Sequence, residues 1–147
     1  MIPALDPSAA RTRSTLRVRF CDTDLMGIVH HANYLAYFEM GRVEWLRRRA
    51  VTYADWNARG IHLPVVDASV RYRAPARFDD CLTVVTRLVE LRSASIRFDY
   101  RLERDDALLA EGSTRLACIG PGNALRRVPP DMVDTLVSAE RGEPRGP

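Results

Sequence analysis

The chain has 147 residues, 46% of them hydrophobic and 28% charged, with a formal net charge of +3. That length fits one domain whose core is large enough to need no disulfide or structural metal. All 22 basic residues are arginine, which excludes Schiff-base and phosphate-loop lysine chemistry, and the mild, interspersed charge makes no basic stripe for nucleic acid.

Residues 1–13 carry Pro, Ala and Arg without periodicity and are expected as a flexible arm. "TLRVRF" then alternates, with Leu16, Val18 and Phe20 on one side and Arg17 and Arg19 on the other, the pattern of a half-buried strand. "FCDTDLMGIVHHANY", Phe20 to Tyr34, follows as a polar loop. From Asn33 the period changes: Tyr34, Tyr37, Phe38, Gly41 and Trp45 recur at three- and four-residue steps, and Glu39, Arg42, Arg47 and Arg49 lie mostly elsewhere. This predicts an amphipathic helix to about Arg49, its basic end matching the negative end of the dipole. A shorter helix is expected over Tyr53–Arg59, capped by Thr52 and stopped by Gly60.

The remainder reads as strand: "HLPVVDASVRYRA", "CLTVVTRLVEL", "ASIRFDYRLER" and "LLAEGSTRLACIG", with "DDA" as a turn. "VPPDMVDTL" suits a short closing helix with proline in its first turn. The domain is placed at 14–137, with a disordered tail over 138–147. A strand, a long helix and at least four strands in hairpin-like succession make an antiparallel sheet with one face covered by the helix. That is an α+β two-layer domain.

The three cysteines, Cys21, Cys81 and Cys118, form no C-x-x-C pair, so zinc-ribbon and thioredoxin-like sites lack their spacing. Cys21 reads as strand-end packing. No run approaches the roughly 20 apolar residues of a membrane span, and the N-terminus lacks the apolar core of a signal peptide. A cytoplasmic protein with free thiols is expected.

The chemistry concentrates in the polar loop. Asp22 and Asp24 read either as acid/base or nucleophilic carboxylates or as a polar turn at a strand end. Aspartyl-phosphate chemistry would need a lysine and alternating helices, and neither is present. Asp22, Asp24, His30 and His31 suit a metal by ligand type, yet adjacent histidines on a chain turning into a helix are expected to point apart. The histidines sit where loop becomes helix, and free N–H groups at that positive end can stabilise an oxyanion. A carboxylate seven residues earlier could face the same point, a constellation suited to acyl transfer. Gly27 lets the backbone approach a substrate.

"DTDLMGIVHHANYLAYFEMGRVEWLR" resembles the signature of the 4-hydroxybenzoyl-CoA thioesterase branch of the hotdog-fold acyl-CoA thioesterases. The likeness continues through "PVVDASVRYRAPARFDD" and "LLAEGSTRLACI", about Leu16 to Leu136. It implies a hotdog fold, a curved antiparallel sheet wrapped around one long central helix. It also implies hydrolysis of an acyl-CoA to free acid and CoA, without metal or organic cofactor. The partners it implies are the acyl-CoA substrate and further copies of the chain, in a dimer or tetramer with active sites at the dimer interface.

By that resemblance Asp24 is the nucleophile or general base and the His31 backbone N–H forms the oxyanion hole. Gly27, Val29 and Asn33 support the loop. Arg92 and Ser93, in "ELRSAS", would contact CoA, with Arg71, Arg73 and Arg77 as alternatives. Tyr34 and Glu39 would line the acyl pocket, and Glu44 would be structural. Two departures stand out: Phe20 and His31 occupy positions where some relatives carry tyrosine. A hydratase/dehydratase of the same fold would need a histidine on the long helix, which has none after Tyr34. A non-catalytic acyl-CoA or acyl-carrier binding protein would suit a chain lacking Asp24.

Overall fold

The computed structural model describes residue 5 and residues 10–138. Along the chain run β1 (Arg11–Arg17), α1 (Asn33–Arg47), α2 (Tyr53–Ala58), β2 (Val65–Tyr72), β3 (Cys81–Leu91), β4 (Ser95–Arg104), β5 (Ala107–Ala117) and α3 (Pro130–Leu136). The five strands form one sheet in the order β1-β3-β4-β5-β2, and every pairing is antiparallel. The two-layer α+β architecture read from the sequence holds.

β3, β4 and β5 form the expected hairpin succession. Asp105 and Asp106 both take positive φ, 48° and 66°, as a mirror-image hairpin turn demands. β2 departs from it. It pairs with β5 rather than β3, so residues 73–80 carry the chain back to β3, which lies between β1 and β4.

The first strand is shifted from its expected place. It begins at Arg11, inside the stretch expected as an arm, and pairs Arg11 to Arg87 through Arg17 to Cys81. Buried Thr12 takes an inward position, so the apolar alternation that marks a half-buried strand is missing there. The strand also ends before Phe20, which is 78% exposed rather than inward. A 3₁₀ turn over Phe20–Asp22, closed by the Arg19 N–H on the Asp22 carboxylate at 3.1 Å, breaks the alternation. Residues 1–4 and 6–9 of the expected arm, and 139–147 of the expected tail, lie outside the described residues.

α1 buries the expected face, Tyr34, Tyr37, Phe38, Gly41 and Trp45, and with it Arg42 and Leu46. A Cβ on Gly41 would lie 2.5 Å from Thr86 Oγ1 and 2.6 Å from Val84 Cγ1, so glycine is what seats the helix this close to the sheet. Two arginines expected outside are inside. Arg42 donates to the Tyr53 and Tyr100 hydroxyls, each at 3.0 Å. Arg49, just past the helix end at Arg47, donates to Thr12 Oγ1 at 2.8 Å and stacks 3.7 Å over the Trp45 ring. Their long stems give apolar contact and the guanidinium forks find hydroxyl acceptors, which a periodicity count cannot register. α2 follows the sequence closely: the Thr52 hydroxyl accepts from the Asp55 N–H at 3.2 Å, and Gly60, at φ 71°, follows its end.

α1 packs on β1, β3 and, less, β4. β2 lies beyond that cover, and seven of its eight residues are exposed. The helix start and the segment leaving β2 thus meet at one end of the sheet.

Candidate active site

The loop between β1 and α1 is built on Asp22. Its carboxylate accepts from the Arg19 N–H at 3.1 Å, the Arg19 guanidinium at 3.0 Å and the Tyr37 hydroxyl at 2.9 Å. Its carbonyl accepts from the His30 N–H at 2.9 Å and the Asn33 amide at 2.8 Å. Burial alone would push this carboxyl up. The donors from Arg19 and Tyr37 outweigh it and hold Asp22 below the ordinary carboxylate range. The Tyr37 hydroxyl moves the other way, raised by burial and then by the carboxylate it serves.

Asp24 stands two residues on in a different setting. Its N–H donates to the Ile28 carbonyl at 2.9 Å and its carbonyl accepts from the Gly27 N–H at 3.0 Å, closing a tight turn. Gly27 takes φ 76° at the end of that turn. One Asp24 oxygen accepts from the Met26 N–H at 2.9 Å. Val29 then pairs with Thr23 and donates to the Ala76 carbonyl at 2.8 Å, docking the loop on the segment after β2.

The helix start is held from two sides. Below, the Asp22 carbonyl takes the His30 and Asn33 donors. Above, the Tyr72 hydroxyl donates to the His31 carbonyl at 2.9 Å. The Ala32 N–H is used by His30 Nδ1 at 3.2 Å and the Asn33 N–H by the His30 carbonyl at 3.0 Å. The His31 N–H donates to no group among the described residues.

Asp24, Val29, His31 and Tyr34 line one groove of about 350 Å³, together with Tyr72 and the 73–75 segment. The buried Tyr34 ring sits edge-on to Tyr72, centroids 5.0 Å apart. Asp24, lightly held by one amide, and His31, with its unengaged N–H, thus line the same largely apolar groove.

The remaining expected site residues lie outside the lining of this groove. Asn33 lies behind the groove, bonded to the Asp22 carbonyl. Glu39 is on the outer side of α1 and lines a separate cavity with Met40 and Arg47. Arg92 and Ser93 form the β3–β4 hairpin turn, where Arg92 pairs with Glu90 and the Ser93 carbonyl accepts from Val128 at 2.8 Å. That turn belongs to the sheet end carrying Val65 and Ala117, and the groove lies at the Tyr72 end. The two histidine rings do not point apart: they lie side by side, centroids 4.2 Å apart and planes tilted by 30°. No group of three metal-ligating side chains occurs among the described residues. Glu44 is tied to Arg47 and, at 3.3 Å, Arg48, as its structural reading predicts. Tyr72 was not expected at the site. Nothing local marks it, since its bond to His31 exists only because β2 sits at the sheet edge beside the helix start.

Residues 18–136 match the model of the thioesterase-like superfamily. The chain belongs to that superfamily. It is 34% identical over 110 residues to the acyl-CoA thioester hydrolase YbgC of Escherichia coli, covering 74% of this chain and 82% of that one. Among solved structures, a hypothetical protein, TT1821, from Thermus thermophilus is 44% identical with a TM-score of 0.81, covering 84% of this chain and 95% of that one. The DHNA-CoA thioesterase of Staphylococcus aureus is 26% identical with a TM-score of 0.82, covering 85% and 87%. The fold is the hotdog fold of these thioesterases, and the chain is a thioester hydrolase.

Proposed function

We propose that this thioesterase hydrolyses acyl-CoA, with Asp24 as the reacting carboxylate and the His31 N–H as the oxyanion donor. The observation that carries the reading is the pairing of a groove-facing Asp24 with an unengaged His31 N–H at a helix start. The thioester carbonyl oxygen accepts from that N–H and gains stabilisation as negative charge develops on it. Asp24 attacks the carbonyl carbon, or takes a proton from a water that does. The C–S bond breaks, the thiolate takes a proton, and one water is consumed as acid and CoA form. The Tyr72 bond to the His31 carbonyl and the Gly27 turn position the donor and the carboxylate.

Two copies of the chain complete this site in our reading, because β2 is a free edge with exposed Val65, Val66 and Tyr72. Arg92 and Ser93, remote from the groove in their own chain, would meet CoA from the partner. The three free cysteines suit a reducing cytoplasm, and no described helix is long and apolar enough to cross a membrane.

Thiol release measured across a panel of aromatic, short-chain and long-chain acyl-CoAs tests the reading. At least one is expected to be hydrolysed, and no release from any would overturn it. A single turnover in ¹⁸O-water then separates the roles of Asp24. Label in the Asp24 carboxyl marks covalent attack, and label confined to the product acid fits a base-activated water.

A further inference from the structure

The groove around Asp24 is bordered on one side by Tyr72, Arg73 and Ala74, the chain leaving β2. At the other end of β2 lies a second cavity, of about 630 Å³. Tyr53, Asn57, His62, Leu63, Pro64 and Ile119 line it. Within one chain these cavities are separated by the length of β2. Of the two sheet edges, β1 is backed by α1, whereas β2 is exposed along nearly its whole length.

An antiparallel strand pairing across a two-fold axis reverses direction. The chain leading into β2 of one protomer then lies beside the chain leaving β2 of the other. With the axis near mid-strand, at Ala68–Ser69, Pro64 stands across one strand spacing, about 5 Å, from Arg73 of the partner subunit.

We infer that the two cavities join across this pairing, so that each Asp24 groove is walled by the His62 side of the other protomer. His62 is then a positioning residue for the bound acyl group, supplied in trans. This inference rests on the thioesterase and dimer readings above and adds the identity of the second wall. His62 suits the role. Its backbone is fixed by paired bonds with Ile119, each 3.0 Å, while its exposed imidazole has no hydrogen-bond partner among the described residues. The Asn57 amide beside it has none either, and Leu63, Pro64 and Ile119 give the cavity its apolar surface. A rigidly mounted, unengaged ring in an apolar wall is ready to bond a ligand.

Two experiments test this. In a chain with Cys21 and Cys81 replaced by serine, Pro64→Cys with Arg73→Cys is treated with a short bismaleimide. The two thiols lie about 30 Å apart along one chain, so a covalent dimer on a denaturing gel reports the trans juxtaposition, whatever the activity. Absence of the linked dimer overturns the placement. Second, His62→Leu and Asp24→Asn chains carrying different tags are co-expressed and the mixed dimers isolated. His62→Leu alone is expected to raise KM about tenfold with kcat less affected, and His62→Gln to restore it. Each mixed dimer then holds one intact and one doubly altered site, and about half of wild-type kcat/KM is expected. Activity no greater than half that of the His62→Leu protein places His62 in cis and overturns the inference. An unchanged KM in His62→Leu overturns its positioning role. A wild type that releases no thiol from any acyl-CoA fails the functional reading, and the cross-link still decides the placement.

Discussion

Two aspartates stand two residues apart and have opposite surroundings. Asp22 is buried, with four donors on its carboxylate, two from Arg19, one from Tyr37 and a weak one from the Cys21 thiol. Asp24 is half-buried, accepts one amide and faces an apolar groove. A carboxylate whose lone pairs are occupied by the fold is held as an anion and cannot also serve as base or nucleophile. One left with open acceptor capacity in a groove that His31 also lines can. On the proposed function, the loop divides one residue type into an anchor and a reactant.

The comparison breaks first at Asp24. Asp24→Asn is expected to lower kcat about 10²–10⁴-fold, with a thermal midpoint unchanged within error, because only the Met26 N–H bond is at stake. Asp22→Asn is expected to cost about 2–3 kcal/mol of stability, through lost charge-assisted bonds in a buried position. Chemical denaturation measures it. The same variant sharpens the contrast with pH. Because the folded state holds the Asp22 carboxyl low, its contribution is fully present above the unfolded value near 3.9. It disappears as pH falls through the lower folded value. The stability gap between wild type and Asp22→Asn should therefore be constant near neutrality and close below about pH 4.

Smaller effects follow at the supports. Gly27→Ala meets no atom within 4 Å but must hold φ 76°. A cost of about 1–2 kcal/mol is expected, with a loss of kcat from the displaced Asp24 turn. Tyr72→Phe removes the bond to the His31 carbonyl. It should cost about 1 kcal/mol and up to tenfold in kcat.

Much of this was legible locally. The three- and four-residue recurrence from Tyr34 to Trp45 marked the buried face of α1. β4 alternates apolar and charged residues from Ile96 to Glu103, as a half-buried strand does. Asp24 and His31, seven residues apart around a helix start, line one groove, together with Val29 and Tyr34, which only the family resemblance pointed to. What escaped depends on long-range pairing. Nothing near β2 states that it joins β5 at an edge, so neither the Tyr72 bond to His31 nor the remoteness of Arg92 and Ser93 could be read. Arg42 and Arg49 are buried against the expectation from their charge, because hydroxyls of Tyr53, Tyr100 and Thr12, remote in sequence, accept from them.

The most direct test sets the two aspartates side by side: kcat for the best acyl-CoA and unfolding free energy, measured on Asp22→Asn and Asp24→Asn under the same conditions. The account predicts a double dissociation, with Asp24→Asn folded and nearly inactive, and Asp22→Asn destabilised but retaining most activity at a temperature where it is folded. Full activity in Asp24→Asn, or an Asp22→Asn protein as stable as wild type and inactive, would contradict it.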